Sequence, residues 1–498
     1  MKITLPKNIL LQVSEFISSN LALYFPKERW NDLERNLLSA SNEFGYKDAE
    51  KFIQHILSSP LTRGHVEILT AHLTNNETYF WREHGTFEAL EQKIIPELIR
   101  LRQEEKRIRI WSAGCSTGEE PYSIAFALDR VIPNIKDWNI TILATDINPR
   151  ILNKASIGEY SQWSFRGTPQ LLKEKYFLQK ANKKFGIIPE IKSMVKFDYL
   201  NLAEDVYPSP LNNTNAMDII FCRNVLMYFT QNRITQVVGS LYNSLIQNGY
   251  FVVSASELSL LNFSKFTAVN FPGTVLYQKS SKKKKYQESF TNIKEEPEPI
   301  IFQLQLEPIS TIVEAEPQIQ KVEKEVVTEI ESPVQIKTIY EEALLSYSQG
   351  NYADVIDRLQ KDVHTSDEQI LLIRALANQG KLTEALKSCE KTIAANKLEP
   401  RLHYLYATIL QELNNEKDAI ASLKNAVYID PNFILSYYSL GIIFRRQGNL
   451  IGAKKSFENA LQLLNKCSQE DIIPESEGLT AGRLKEIVNA TIKAGALL

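Results

Sequence analysis

The segment from about residue 280 to 336 constrains this chain most, because it cannot join a folded core. It opens on the basic run KSSKKKK from Lys279, then turns acidic, punctuated by Pro297, Pro299, Pro308, Pro317 and Pro333. Blocks of like charge broken by prolines bury too little apolar surface to offset the entropy of ordering the chain. The segment is expected to be a flexible charged linker; contact of its tetralysine with an anionic surface is the weaker alternative. Everything that folds must therefore fold on one side of it or the other. At 498 residues the chain also exceeds a single core, and its length suggests roughly three units of ~150 residues.

Beyond the linker a period appears. Gly380, Asn414 and Gly448 recur every 34 residues, and Ala385, Ala419 and Ala453 keep the same step. Leu423 matches Phe457, and Ala407 matches Gly441. Small residues suit the close approach of two helices in a hairpin, and Gly or Asn suits the turn between them, since both tolerate a left-handed backbone. Pro400 and Pro431 fall at the ends of units, where a helix should stop. The pattern looks like a tetratricopeptide array over 337–498, with a weaker first unit near 339–366 and a capping helix in TAGRLKEIVNATIKAGALL. An unrelated α-bundle is the alternative.

Before the linker, residues 8–100 carry helical periodicity in ILLQVSEFISSNLALYF, KERWNDLERNLLSASNEFG and DAEKFIQHILSS. From Arg107 strands and helices alternate: RIRIWSAG, PYSIAFALDRVI, NITILATD, PRILNKASIG, VKFDYLN, AMDIIFCRN, RITQVVGSLYNSLI and YFVVSAS. That alternation predicts a parallel sheet covered on both faces, with ligands beyond the carboxyl ends of its strands. A formal charge of -2 offers no global field for a nucleic-acid backbone. Four widely spaced cysteines argue against a zinc site or a disulfide framework, and no metal is expected. No signal peptide and no membrane span are expected, so the chain reads as cytoplasmic.

Four candidate segments fall at those carboxyl ends. The first strand runs into Ser112-Ala113-Gly114-Cys115-Ser116-Thr117-Gly118-Glu119-Glu120, a glycine turn opening a helix at Pro121. The second ends in Asp146, a place where a carboxylate can accept both ribose hydroxyls of an adenosine, or can simply cap the following helix. The gap of 32 residues from the glycine turn, and the lack of G-x-G-x-x-G, count against a nicotinamide enzyme. Asn201 and Leu202 follow the third strand and suit an adenine edge and face. Arg223, Asn224 and Tyr228 follow the fourth, where C-R-N-V stands in place of the N-P-P-Y-like turn of base aminomethyltransferases. Upstream, Asn76, Thr78 and Arg82 bracket the aromatics Tyr79, Phe80 and Trp81. Alternatively, those aromatics pin the helical part on the sheet and Arg82 pairs with a surface acid. Cys115 and Cys222 read as small packing residues rather than nucleophiles.

Together NNETYFWRE, WSAGCSTGEEPYSIAFAL, ILATDINPRIL with GEY, VKFDYLNL and DIIFCRNVLMYF resemble the chemoreceptor glutamate methyltransferases of bacterial chemotaxis, the CheR type, over residues 10–278. The resemblance implies an α/β fold: an N-terminal all-α domain (1–100) and a Rossmann-like methyltransferase domain that binds S-adenosylmethionine (101–279). A small β-subdomain is expected inserted within 160–195, with the linker (280–336) and the α-solenoid of repeats (337–498) behind. It implies that Asn76, Thr78 and Arg82 line the methionine end of the cofactor and that Glu120 faces its amino group. Asp146 would hold the ribose, Asn201 and Leu202 the adenine, and Arg223 and Asn224 the pocket wall. Arg82 and Tyr228 would stand nearest the transferred methyl.

The chemistry implied is esterification of receptor glutamates, leaving S-adenosylhomocysteine. A glutamate of pKa ~4.3 is already an anion at neutral pH and needs no general base. Chemoreceptor cytoplasmic helices would be the substrate, and a protein or peptide would sit on the repeats. The early helix departs from the family's basic stripe: Lys27, Arg29 and Arg35 are interleaved with Glu28, Asp32 and Glu34. The rivals are a cofactor-sensing scaffold without methyl transfer, and a methyltransferase acting on another substrate.

Overall fold

The computed structural model describes residues 5–59, 61–74, 77–180, 183–209, 212–257, 265–280, 338–360 and 365–495. The linker expectation lies outside those residues, apart from Ser280. Four helices open the chain: α1 (Lys7–Leu21), α2 (Trp30–Glu43), α3 (Ala49–Ser58) and α4 (Arg63–Leu73). On α1 the apolar residues Leu10, Val13, Ile17 and Leu21 fall on one stripe and meet Leu33 and Leu37 of α2 in a shared core. Asp48 starts α3 by accepting the N–H groups of Glu50 and Lys51. The helix at 63–73 was not among the predicted ones.

Next come α5 (His84–Ala89) and α6 (Ile95–Leu101), joined through a π turn. Sequence reading places them in the helical domain, but Phe87, Leu90, Ile94, Ile95 and Leu98 pack into the core of the sheet that follows. Their apolar residues serve that sheet, and helical periodicity by itself does not say which core a helix joins.

The α/β region runs β1 (Arg107–Ala113), α7 (Glu119–Val131), β2 (Asn139–Asp146) and α8 (Pro149–Ile157). An insertion follows, with β3 (Glu159–Tyr160), α9 (Gln170–Tyr176), β4 (Phe177–Gln179), β5 (Phe185–Ile187) and α10 (Pro189–Lys192). The main sheet resumes with β6 (Val195–Tyr199), β7 (Met217–Phe221), α11 (Gln231–Ser244), β8 (Leu245–Val252), β9 (Thr267–Phe271) and β10 (Thr274–Gln278). Its strand order is β6-β2-β1-β7-β8-β10-β9, and the insertion forms its own sheet, β3-β5-β4. The small subdomain is thus where the resemblance puts it.

The strands from β6 to β8 are parallel, as the alternation predicts. β9 and β10 instead form an antiparallel edge hairpin, turned at Pro272 and Gly273, where Gly273 takes a positive φ of 75°. All of β1 and β7 is buried. The chain leaves β1 toward β2 and β6 and returns to β7 on β1's other side, so the crevice opens over the carboxyl ends of β1 and β7.

The repeats form four helical hairpins: α12 (Ile339–Ser348) with α13 (Tyr352–Leu359), α14 (Ser366–Asn378) with α15 (Leu382–Ala395), α16 (Pro400–Glu412) with α17 (Glu416–Ile429), and α18 (Ile434–Arg446) with α19 (Leu450–Leu464). A final helix, α20 (Ala481–Gly495), caps them. Gly380, Asn414 and Gly448 make the turns, with φ of 79°, 59° and 73°. A Cβ at Gly441 would lie 2.4 Å from the ring of Phe457, so the small residue is needed for the close approach. Pro400 opens α16 rather than ending a helix, since the first helical position has no N–H bond to lose. No helix among the described residues is long and apolar enough to cross a membrane.

The repeats sit on the amino ends of the sheet. Glu412, closing α16, accepts from Arg107 Nη2 at 2.7 Å and from Asn215 Nδ2 at 2.7 Å, and Arg109 Nη1 lies 3.7 Å away. The Glu412 carbonyl and Asn414 both bond the Asn139 side chain, at 3.1 and 2.6 Å. The link between α19 and α20 folds onto the inner helices. There Glu475 pairs with Arg374, and Tyr347 donates to Glu477 at 2.9 Å.

Candidate cofactor cleft

Over the carboxyl ends of β1 and β7 lie two joined chambers, one smaller than the other. They share Gly114, Ser116 and Asn224. The smaller is polar, lined by Glu77, Thr78, Arg82, Glu120 and Arg223 among others. The larger is mostly apolar, with Leu21, Leu23, Ile147, Leu200 and Leu202 around Asp146, Asn201 and Tyr228. Leu21, Leu23 and Thr74 come from the helical domain, which closes this chamber from above. The backbone of Tyr24 donates to the carbonyl of Tyr228 at 2.6 Å, fixing that closure.

The neck between the chambers depends on glycine. Gly114 has φ 77°, and a Cβ there would stand 2.3 Å from Val225 Cγ2. Beside it, Asp146 accepts the N–H of Ser116 at 2.9 Å and that of Asn148 at 3.0 Å. The helix-capping alternative for Asp146 falls away, because Asn148 caps α8. Burial pushes the Asp146 carboxyl up, against the backbone N–H groups that pull it down.

The polar chamber is wired through Arg223. Its guanidinium bonds Glu120 at 3.2 Å, Glu83 at 3.1 Å and the carbonyl of Arg82 at 3.0 Å. Ser112 donates to the other oxygen of Glu120 at 2.8 Å. Burial raises Glu120, with Arg223 opposing. Arg82 donates to the Glu77 carbonyl at 3.3 Å and lies 5.7 Å from the Tyr79 ring, so it does not take the surface-acid pairing. Phe80 and Trp81 are core residues. Trp81 stacks on Phe87 at 4.5 Å, and Phe80 meets Tyr160, Phe165 and Phe177 of the inserted subdomain.

Of the candidates named from sequence, Thr78, Arg82, Glu120, Arg223 and Asn224 come together in the polar chamber. Asp146, Asn201, Leu202 and Tyr228 come together in the apolar one. Asn76 lies outside the described residues. Tyr228 and Arg82 face different chambers, on either side of Asn224. Burial raises the thiols of Cys115 and Cys222, in keeping with packing roles.

A profile of the CheR methyltransferase SAM-binding domain matches residues 76–273, and a tetratricopeptide repeat profile matches 400–433. The chain is 32% identical over 260 residues to a chemotaxis protein methyltransferase of Borreliella burgdorferi, covering 52% of this chain and 90% of that protein. It is 36% identical over 217 residues to chemotaxis protein methyltransferase 2 of Vibrio cholerae, covering 44% of this chain and 74% of that one. The chain belongs to the CheR family. Similarity to a probable biofilm formation methyltransferase, WspC, of Pseudomonas aeruginosa runs through both halves: 24% identity over 442 residues, 87% of this chain and 94% of that protein.

As a CheR-family protein the chain is an S-adenosylmethionine-dependent methyltransferase, and the cleft fits that cofactor. A chamber carrying two carboxylates and two guanidiniums suits a zwitterionic amino acid, and an apolar chamber with one buried carboxylate suits an adenosine. Sequence reading passed over the supports of this CheR cleft. Glu257, 8% exposed, accepts the N–H groups of Asn224 at 2.7 Å and Val225 at 2.8 Å and so holds that turn. Glu83 pairs with Arg223, and Ser112 orients Glu120. Glu257 lies 33 residues from Asn224 with no motif around it; Ser112 and Glu83 lie inside the segments WSAGCSTGEEPYSIAFAL and NNETYFWRE, but the sequence reading gives neither a role.

Proposed function

We propose that this enzyme methylates the side-chain carboxylate of glutamates in chemoreceptor cytoplasmic helices. The observation that carries the proposal is a polar chamber lined by Arg82 and Arg223 that needs no base: the acceptor is an anion before it arrives. Bound S-adenosylmethionine supplies a sulfonium methyl, which a carboxylate oxygen takes in one displacement that leaves S-adenosylhomocysteine.

The chain's own residues then have positional tasks. Glu120, held by Ser112 and Arg223, receives the amino group of the methionine end. Asp146 accepts the ribose hydroxyls. Asn201 uses its side-chain oxygen on the Ala203 N–H at 3.0 Å, which leaves its amide donors for the adenine edge. Leu202 covers the ring face. Arg82, half-buried, bonded to the Glu77 carbonyl and lying over the Tyr79 ring, orients the incoming carboxylate without a tight ion pair that would blunt it. Tyr228 walls the apolar side of the neck, with Arg29 5.6 Å over its ring. That places one cation of the early helical region at the cleft. Thr78, and Asn76 by its motif, complete the methionine end.

The repeats are read as a surface for a protein partner. Their inner face is occupied by the chain's own 471–480 segment and by the sheet, which leaves the outer face for that role.

The test is transfer of tritiated methyl from S-adenosylmethionine to chemoreceptor cytoplasmic fragments, followed by mild base. Volatile methanol is the expected product. Base-stable label would place the methyl on nitrogen or another acceptor and overturn the ester reading.

A further inference from the structure

The loop after β6, which carries Asn201 and Leu202, hangs on one carboxylate. Asp205 Oδ2 accepts the backbone N–H of Asn201 at 2.6 Å. Its other oxygen accepts Nε of Arg483 at 2.6 Å, from the first turn of α20 and 278 residues further along the chain. The Asp205 side chain is 7% exposed and that of Arg483 22%. The guanidinium also lies 5.5 Å from the ring of Tyr199, the last residue of β6, and Glu486 holds Nη1 at 2.7 Å. One cation from the repeat domain therefore grips the end of the strand and, through Asp205, the turn that follows it. Short charge-assisted bonds of this kind are among the stronger fixed contacts a protein makes.

Remove the guanidinium and Asp205 becomes a nearly buried carboxylate without its cation, beside the like charge of Glu204. The local relief is for Asp205 to swing toward water, and the Asn201 N–H then loses its acceptor. The Asn201–Leu202 turn, a wall of the apolar chamber, moves with it.

We propose that Arg483 is a positioning residue for the cofactor, supplied by the repeat domain. Acting through Asp205, it sets the Asn201–Leu202 turn against the adenine. The repeats thereby complete the cofactor pocket, and any displacement of α20 changes cofactor affinity. The inference rests on the reading above that Asn201 and Leu202 face the adenine.

The experiment is calorimetric titration of S-adenosylhomocysteine into the full chain carrying Arg483→Ala, Arg483→Lys, Asp205→Ala, the Arg483→Ala/Asp205→Ala pair, and Leu202→Ala. Thermal unfolding of each cofactor-free protein runs alongside. Arg483→Ala is expected to weaken binding about tenfold, the scale of one charge-assisted hydrogen bond. Lysine should restore part of that, and Asp205→Ala should match it, with the pair no worse than either single change. Wild-type affinity in Arg483→Ala, or losses that add in the pair, would overturn the clamp. A lowered unfolding temperature with unchanged affinity would reduce Arg483 to a latch between domains and also overturn it. Leu202→Ala separates the two readings. If it weakens binding while Arg483→Ala does not, only the clamp fails; if it has no effect, the adenine placement itself fails.

Discussion

The two rims of the central sheet carry buried charge in different ways. At the carboxyl rim, Asp146, Glu120 and Arg223 line an open cleft. The Nε of Arg223 is buried without a partner, and burial pushes both carboxyls upward. At the amino rim, Arg107 and Arg109 are 7% and 2% exposed and meet Glu412, itself 7% exposed. Asp218 takes the Arg109 N–H at 2.8 Å and the Arg102 guanidinium at 3.0 Å. Around the cleft the charges line a cavity, and at the amino rim a helix end from the repeats closes them; Asp205, closed by Arg483 beyond the end of β6, stands between the two cases. Charges left beside a cavity mark a place for a ligand, and charges closed by a distant part of the same chain mark a permanent joint.

The largest effect should come from breaking the joint. Glu412→Gln leaves Arg107 and Arg109 facing a neutral amide in a buried site, and should cost about 3–5 kcal/mol in denaturant unfolding. Next comes the cleft: Asp146→Asn should weaken S-adenosylhomocysteine binding by about 1–3 kcal/mol in calorimetry, with unliganded stability nearly unchanged. A pH titration sharpens the contrast. The Asp146 pKa is raised by burial, so the free folded protein takes up this proton at a higher pH than an ordinary aspartate does. Acidification should therefore weaken cofactor binding in that window while this group's contribution to folding grows; the contribution is lost again as pH rises through the raised pKa. Asp146→Asn should flatten that dependence of affinity on pH. The smallest effect sets the baseline: Arg35→Ala removes an exposed pair with Asp32 and should change stability by less than about 0.5 kcal/mol.

The sheet was legible because apolar strand runs and helices succeed one another from Arg107 on, and the repeats because small and turn residues return every 34 positions. The cleft was legible because its residues follow the carboxyl ends of strands that can be read one by one. What stayed hidden is held together by distance in the chain. Glu412 looks like an exposed helix end until it is seen on Arg107, 305 residues away. Glu257 carries no motif, and Arg483 sits in what reads as an ordinary capping helix. The edge hairpin of β9 and β10 went unread because its strands are short and its face only half-buried. Helices α5 and α6 show the same limit from the other side, since their amphipathic stripe fits either neighbouring core.

Thermal unfolding of the wild type, Glu412→Gln and Asp146→Asn, each with and without saturating S-adenosylhomocysteine, tests the division between the rims most directly. Glu412→Gln should melt well below the wild type without ligand, yet keep the ligand-induced rise. Asp146→Asn should melt near the wild type without ligand and lose most of that rise. The reverse pattern, with the cofactor effect lost on changing Glu412 and retained on changing Asp146, would contradict the assignment of the cofactor to the carboxyl rim.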